Sequence, residues 1–247
     1  MLDSPHGGTA ARDAGLVKTG VIWDETPRGR AAIVRSVCAT LEGWYGRPRL
    51  GNPDDPTDDL VYIIASNRTT PDVAARVYRA LKASCPTWDA LPDAPIDALR
   101  TALEPAGLAS VKSAQLAAAF RKIRADFGAC DLSRLREEPA DEVLRYLVSL
   151  PGVSDKVARC VMMYTLGAEV LPVDAHVHRV ARRLGWTARK RADQCHAELE
   201  ALVPPVRRYA FHVDCIAHGR AICRPRTPEC PRCPVARHCA YDRKVAA

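Results

Sequence analysis

The stretch LRYLVSLPGVSDKVARCVMMYTLG, residues 144–167, decides how this chain is read. A helix running from Pro139 to Leu150, with Val143, Leu144 and Leu147 inward, ends at Leu150-Pro151-Gly152, and a second helix begins within three residues. Pro151 stops the first helix, while Gly152 permits a tight turn and close approach of backbone to a ligand. Ser154 is placed to cap the second helix, and Asp155 is favourable in its first turn. The amides of such a turn point outward together and form an anion site suited to a DNA phosphate. A purely structural αα-corner would show the same pattern.

Working outward, Lys156 falls on the first turn of the second helix. The positive end of the helix dipole, with partial burial, predicts a lowered pKa there and a usable amine nucleophile. Eighteen residues on, VDAHVHRVARRLGW (173–186) opens another helix with Asp174 at its start. Amides and dipole hold a carboxylate ionised at that position, ready to stabilise positive charge developing on a sugar. A solvated lysine and a plain N-cap aspartate fit the same residues.

The rest of the chain reads as all-α. Ile33, Val34, Val37, Cys38 and Leu41 make one helical face, and Val73, Val77 and Leu81 another, behind the Thr70-Pro71 start. Leu116, Phe120, Ile123 and Phe127 form a third stripe that Gly128 ends. DDLVYIIASN (58–67) is short and apolar and is expected as a buried helix. There is no sustained alternation of period two and no Asn-Gly or Asp-Gly turn. Residues 1–27, rich in Gly, Ser and Pro, are expected as a mobile extension, with no place assigned to Trp23.

The 247 residues are 47% hydrophobic and 26% charged, a balance that excludes disorder, collagen and coiled coil. No uninterrupted apolar run is long enough to span a membrane, and no secretory signal is visible, so the expected location is cytoplasmic and nucleoid-associated. The formal charge of +7 is uneven. Residues 175–247 hold 15 Lys and Arg against 6 Asp and Glu, whereas residues 1–174 hold 21 against 23. A basic end on a near-neutral body fits a polyanion partner, above all nucleic acid, though a solubilising surface would look alike.

Ten cysteines without export argue for reduced thiols. Cys223, Cys230, Cys233 and Cys239 are spaced C-x6-C-x2-C-x5-C, a set that suits structural zinc or a cubane iron–sulfur cluster. Cys38, Cys85, Cys130, Cys160, Cys195 and Cys215 are scattered and read as buried free thiols.

LPGVSDK (150–156), VDAHVHRV (173–180) and HGRAIC (218–223) resemble the endonuclease III branch of the helix-hairpin-helix DNA glycosylases, over roughly residues 30–240. The family pattern is a hairpin LPGVGxK, an aspartate in VDTH eighteen residues beyond its lysine, then four cysteines. The resemblance implies two all-α lobes: a six-helix bundle of residues 57–171 containing the hairpin, and a cluster lobe of 28–56 with 172–247. DNA would lie in the cleft between them. It implies a [4Fe–4S] cluster on Cys223, Cys230, Cys233 and Cys239. It also implies damaged double-stranded DNA as partner of a monomer. Lys156 would attack C1′ of a damaged nucleoside, and Asp174 would help activate the amine. Base release followed by β-elimination makes this a bifunctional glycosylase and AP lyase for oxidised pyrimidines or abasic sites. The implied DNA contacts are Gly152 and Ser154 in the hairpin, Asn67 and Leu108 as plug and wedge, His176 beside Asp174, and Arg224, Arg226 and Arg232 at the cluster loop. Ser154, Asp155 and Asn67 stand where the pattern has glycine, a basic residue and glutamine. Those departures open two other readings: an iron–sulfur DNA-binding protein with weak or no catalysis, and a monofunctional glycosylase of altered specificity.

Overall fold

The computed structural model describes residues 26–67 and 69–241. Trp23 and all but the last two residues of the expected extension lie outside them. Those two, Thr26 and Pro27, instead open a helix: Thr26 Oγ1 accepts from the Gly29 amide at 3.1 Å, and Pro27 takes the first helical position. This helix, α1 (Pro27–Tyr45), ends where Gly46 turns left-handed at φ 71°.

The same logic recurs along the chain. Asp55 accepts from the amides of Thr57 and Asp58 to start α2 (Pro56–Ser66), and Thr70 caps α3 (Pro71–Ser84). Then follow α4 (Ile96–Leu103), α5 (Ala109–Phe127), α6 (Ala140–Ser149) and α7 (Asp155–Thr165). The chain closes with α8 (Ala175–Leu184), α9 (His196–Leu202) and α10 (Arg208–Ala221). The architecture is all-α, and among the described residues there is no strand. The DDLVYIIASN stretch is a buried helix, with every residue from Leu60 to Ala65 in the core.

Two cores organise these helices. Leu60 and Ile64 of α2, Leu81 of α3, Leu103 of α4, Phe120 and Ile123 of α5, Leu147 of α6 and Val161 of α7 share the first. Val34, Val37 and Leu41 of α1 share the second with Val177, Val180 and Leu184 of α8, Leu199 of α9 and Phe211 of α10. Trp186 stacks on Phe211 there, with ring centroids 5.3 Å apart. The chain therefore begins in the second core, builds the first from α2 to α7, and returns. The sequence reading did not identify α4, α9 or α10. For α10 the reason is physical: it is enclosed on most sides, with His212, Asp214 and His218 buried among apolar residues, so it carries no polar face.

Phe120 is fully buried where α5 meets the neighbouring Trp88 ring at 5.9 Å. Phe120→Ala should lower stability by about 3–5 kcal/mol, measured by urea unfolding, because the cavity left cannot close.

Candidate active site

The hairpin lies between α6 and α7. Gly152 adopts φ 79°, and a Cβ there would come within 2.6 Å of the Gln115 side chain, so both conformation and space demand glycine. Ser154 caps α7, its hydroxyl accepting from the Val157 amide at 3.4 Å. Asp155 is engaged by side chains of α7 and α9. Its Oδ1 accepts from Arg159 Nε one turn later and lies 3.6 Å from His196 Nδ1. Arg159 also pairs with Glu200, whose Oε1 accepts from the Leu171 amide at 2.7 Å. The residue that departs from the family's hairpin is thus the end of a clasp joining α7 to α9.

Lys156 is partly buried at the start of α7. The lowered pKa expected from burial and the helix dipole is not what the structure gives. Burial does push the ammonium down, but Cys160, Asp174 and Asp59 more than offset it, and its pKa lies above the ordinary lysine value. Three anionic or polarisable groups surround it, where the sequence suggested one.

Asp174 caps α8 through a single oxygen, Oδ1 accepting from the amides of His176 and Val177, each at 2.8 Å. Burial raises its pKa, but His212, the Val177 amide, His176 and Lys156 outweigh burial and hold the carboxyl below its ordinary value. It stays ionised at neutral pH.

Behind these two residues runs a line of groups that sequence reasoning missed. Cys160 and Tyr164 follow Lys156 at one-turn spacing on α7, and both are pushed up chiefly by burial, Cys160 to about 11. The helical spacing of four from Lys156 was the available signal. His212 Nδ1 donates to the Pro172 carbonyl at 2.8 Å, so Nε2 is free to accept from Tyr164 Oη at 2.9 Å. Burial takes the His212 pKa down to about 4, which keeps that ring neutral. On α2, Asp59 is a fully buried carboxylate within the apolar run.

Asn67 and Leu108 sit on neighbouring loops. Asn67 closes α2, and Leu108 precedes α5 at φ 54° with 54% of its surface exposed. A left-handed leucine is unfavourable by about 1–2 kcal/mol in its backbone, and such outliers gather at functional sites. One buried side chain holds both loops: Lys112 Nζ donates to the carbonyls of Ala65 at 3.0 Å, Asn67 at 2.9 Å and Ala106 at 2.9 Å. Nothing in the sequence marked Lys112 apart from the stripe around it.

His176 Nδ1 accepts from Arg179 at 3.1 Å and packs against Gly219, whose missing side chain lets α8 approach α10. Arg179 also reaches the carbonyls of Cys223 and Gly219. Arg183 donates to Cys223 Sγ at 3.1 Å and to the carbonyls of Arg224 and Pro225. Cys223, Cys230, Cys233 and Cys239 line one cavity, with Val180, Leu184, Ile222 and His218 completing it. Among the described residues no three His, Cys, Asp or Glu are drawn close enough to hold a single metal ion. Burial raises Cys239 and takes Cys233 to about 11. In the loop itself, Arg224 and Arg232 both pair with Glu229. Arg226 is exposed and has no ion pair among the described residues.

Comparison with known proteins assigns the chain to a family. The model of the HhH-GPD superfamily base excision DNA repair proteins matches residues 61–205, more than half of the chain. The chain belongs to that superfamily. Endonuclease III of Synechocystis sp. is 30% identical over 185 residues, covering 74% of this chain and 80% of that one. A relative from Arabidopsis thaliana, 31% identical over 165 residues, is longer: they are 66% of this chain and 56% of its length. A solved non-covalent Endonuclease III–DNA complex has the same fold, with a TM-score of 0.74 at 23% identity, covering 87% of this chain and 97% of that one.

Replacing Lys112 by methionine leaves three buried carbonyls without their donor. Lys112→Met should cost about 3 kcal/mol in urea unfolding and weaken binding to a duplex containing an abasic site.

Proposed function

We propose that the chain is a DNA glycosylase with AP-lyase activity on oxidised pyrimidines or abasic sites. It works as a monomer in the cytoplasm, on the DNA of the nucleoid. The observation that carries this reading is that Lys156, at the start of α7, and the ionised Asp174 that caps α8 each stabilise the other's charge, next to the left-handed Gly152 turn. Relatives named Endonuclease III, one solved on DNA, support it.

The neutral amine of Lys156 attacks C1′ of the extruded nucleoside, and the N-glycosidic bond breaks with its electron pair leaving on the base. The ionised Asp174, fixed by two amides, stabilises the positive charge that grows on the sugar. Ring opening gives a Schiff base on Lys156, loss of the C2′ proton expels the 3′ phosphate, and water releases the lysine. Leu108 enters the stack and Asn67 plugs the vacated position, offsetting an unstacking cost of a few kcal/mol. Gly152 and Ser154 present amides to one phosphate, and Arg226, with Arg224, Arg232 and His176 around it, faces the backbone.

The donor set at the cysteine-lined cavity fits an iron–sulfur group. Four thiols lining one cavity are a donor set suited to a [4Fe–4S] cluster, and the resemblance to Endonuclease III favours that cluster over zinc. Bound to Cys223, Cys230, Cys233 and Cys239, it would supply a rigid cross-link of the cluster loop. Arg183 and His218 would donate toward its sulfurs.

Borohydride reduction on an abasic duplex should trap a covalent protein–DNA adduct that Lys156→Ala abolishes. Asp174→Asn should slow trapping by about 100-fold with binding retained. No adduct, or one that survives Lys156→Ala, sinks the mechanism. Base release without nicking would select the monofunctional reading, and tight binding without turnover the non-catalytic one. Purified protein should carry iron and acid-labile sulfide in equal amounts, and Cys230→Ser should lose both; zinc in their place would overturn the cluster assignment.

A further inference from the structure

Lys112 stands where a cation is costly. It lies in the first turn of α5, at the positive end of that helix's dipole, and is only 4% exposed. Burial opposes its charge, and no carboxylate among the described residues pairs with it. What holds it are carbonyls at the ends of two other helical segments. Ala65 and Asn67 lie where α2 stops, and Ala106 ends the 3-10 turn Glu104–Ala106. A helix leaves such carbonyls without an internal donor, at the negative end of its dipole.

The same residue grips the Gly107-Leu108 turn from both sides. Its amide donates to the Leu108 carbonyl at 2.9 Å, while its ammonium holds Ala106 at 2.9 Å. Gly107 and Leu108 both have positive φ, 69° and 54°. A leucine in that conformation persists only where its surroundings fix it. Here the ammonium that fixes the turn also fixes the Asn67 carbonyl across from it.

We propose that Lys112 is a positioning residue that locks Leu108 to Asn67, so that both enter the DNA stack as one unit. The role rests on the reading of Leu108 as wedge and Asn67 as plug. Holding the two loops in place beforehand removes the cost of ordering them during insertion. The consequence is selective: Lys112 matters while stacked bases have to be parted, and not where the stack is already open.

Stopped-flow fluorescence of 2-aminopurine placed beside an abasic site in a duplex reports unstacking and needs no bond cleavage. Wild type should give a rise in fluorescence, and Lys112→Met should slow that rise by about 10- to 100-fold. Affinity for a duplex whose abasic site sits in a loop of unpaired bases should stay within about twofold of wild type. Leu108→Ala should slow the rise as well. In that background Lys112→Met should add less than about a twofold further slowing, because both act on one unit. Equal weakening on both duplexes, or effects of the two substitutions that multiply, overturns the proposal and leaves Lys112 a helix cap alone. If circular dichroism shows that Lys112→Met does not fold, Lys112→Arg, which keeps the charge but not the compact ammonium, is judged by the same comparison. A rise that Leu108→Ala leaves unchanged overturns the proposal from the other side, by removing the wedge reading itself.

Discussion

Taking a lysine ammonium out of water is unfavourable by several kcal/mol unless anions replace the solvent. Here the replacements come from opposite ends of the chain's path. Asp59 belongs to α2 in the first core, and Asp174 caps α8 at the edge of the second. Cys160, Asp174 and Asp59 together outweigh burial and hold the Lys156 ammonium, at the start of α7, above its ordinary pKa. Relative placement of the two cores is therefore tied to the Lys156 ammonium: separating them would take Asp174 or Asp59 away from it.

Other buried polar groups reinforce that junction. Arg159 spans Asp155 and Glu200, joining α7 to α9, and Tyr164 donates to His212 across to α10. These contacts are directional, so they fix orientation where apolar packing alone would tolerate sliding. They also account for Asp155 at the start of α7, beside the hairpin turn. Its charge is answered by Arg159 before any ligand arrives.

The cluster lobe follows a related rule. Arg179 and Arg183 of α8 fasten the carbonyls and one sulfur of the cysteine loop, so the same helix that presents Asp174 at one end braces the thiol cavity along its length. All three loop arginines are exposed; Arg224 and Arg232 pair with Glu229, and Arg226 has no ion pair among the described residues. The basic excess of residues 175–247 thus divides into arginines that hold the loop and a smaller number that can meet phosphate.

The sequence by itself determined the all-α class, the helices with an apolar face of period 3.6, their caps at Ser154 and Asp174, and the hairpin glycine. These are local properties, set by neighbours within a turn or two. It also marked Lys156, through a motif whose spacing is short-range. Only the tertiary structure decided the sign of the Lys156 pKa shift, because besides Cys160, one turn away, it depends on Asp174 and on Asp59, the latter distant in sequence and hidden in an apolar run. It likewise decided that Lys112 ties the Asn67 and Leu108 loops, and that enclosed α10 is a helix at all. Electrostatic fields and buried hydrogen bonds act through space between segments far apart along the chain, and no local pattern encodes them.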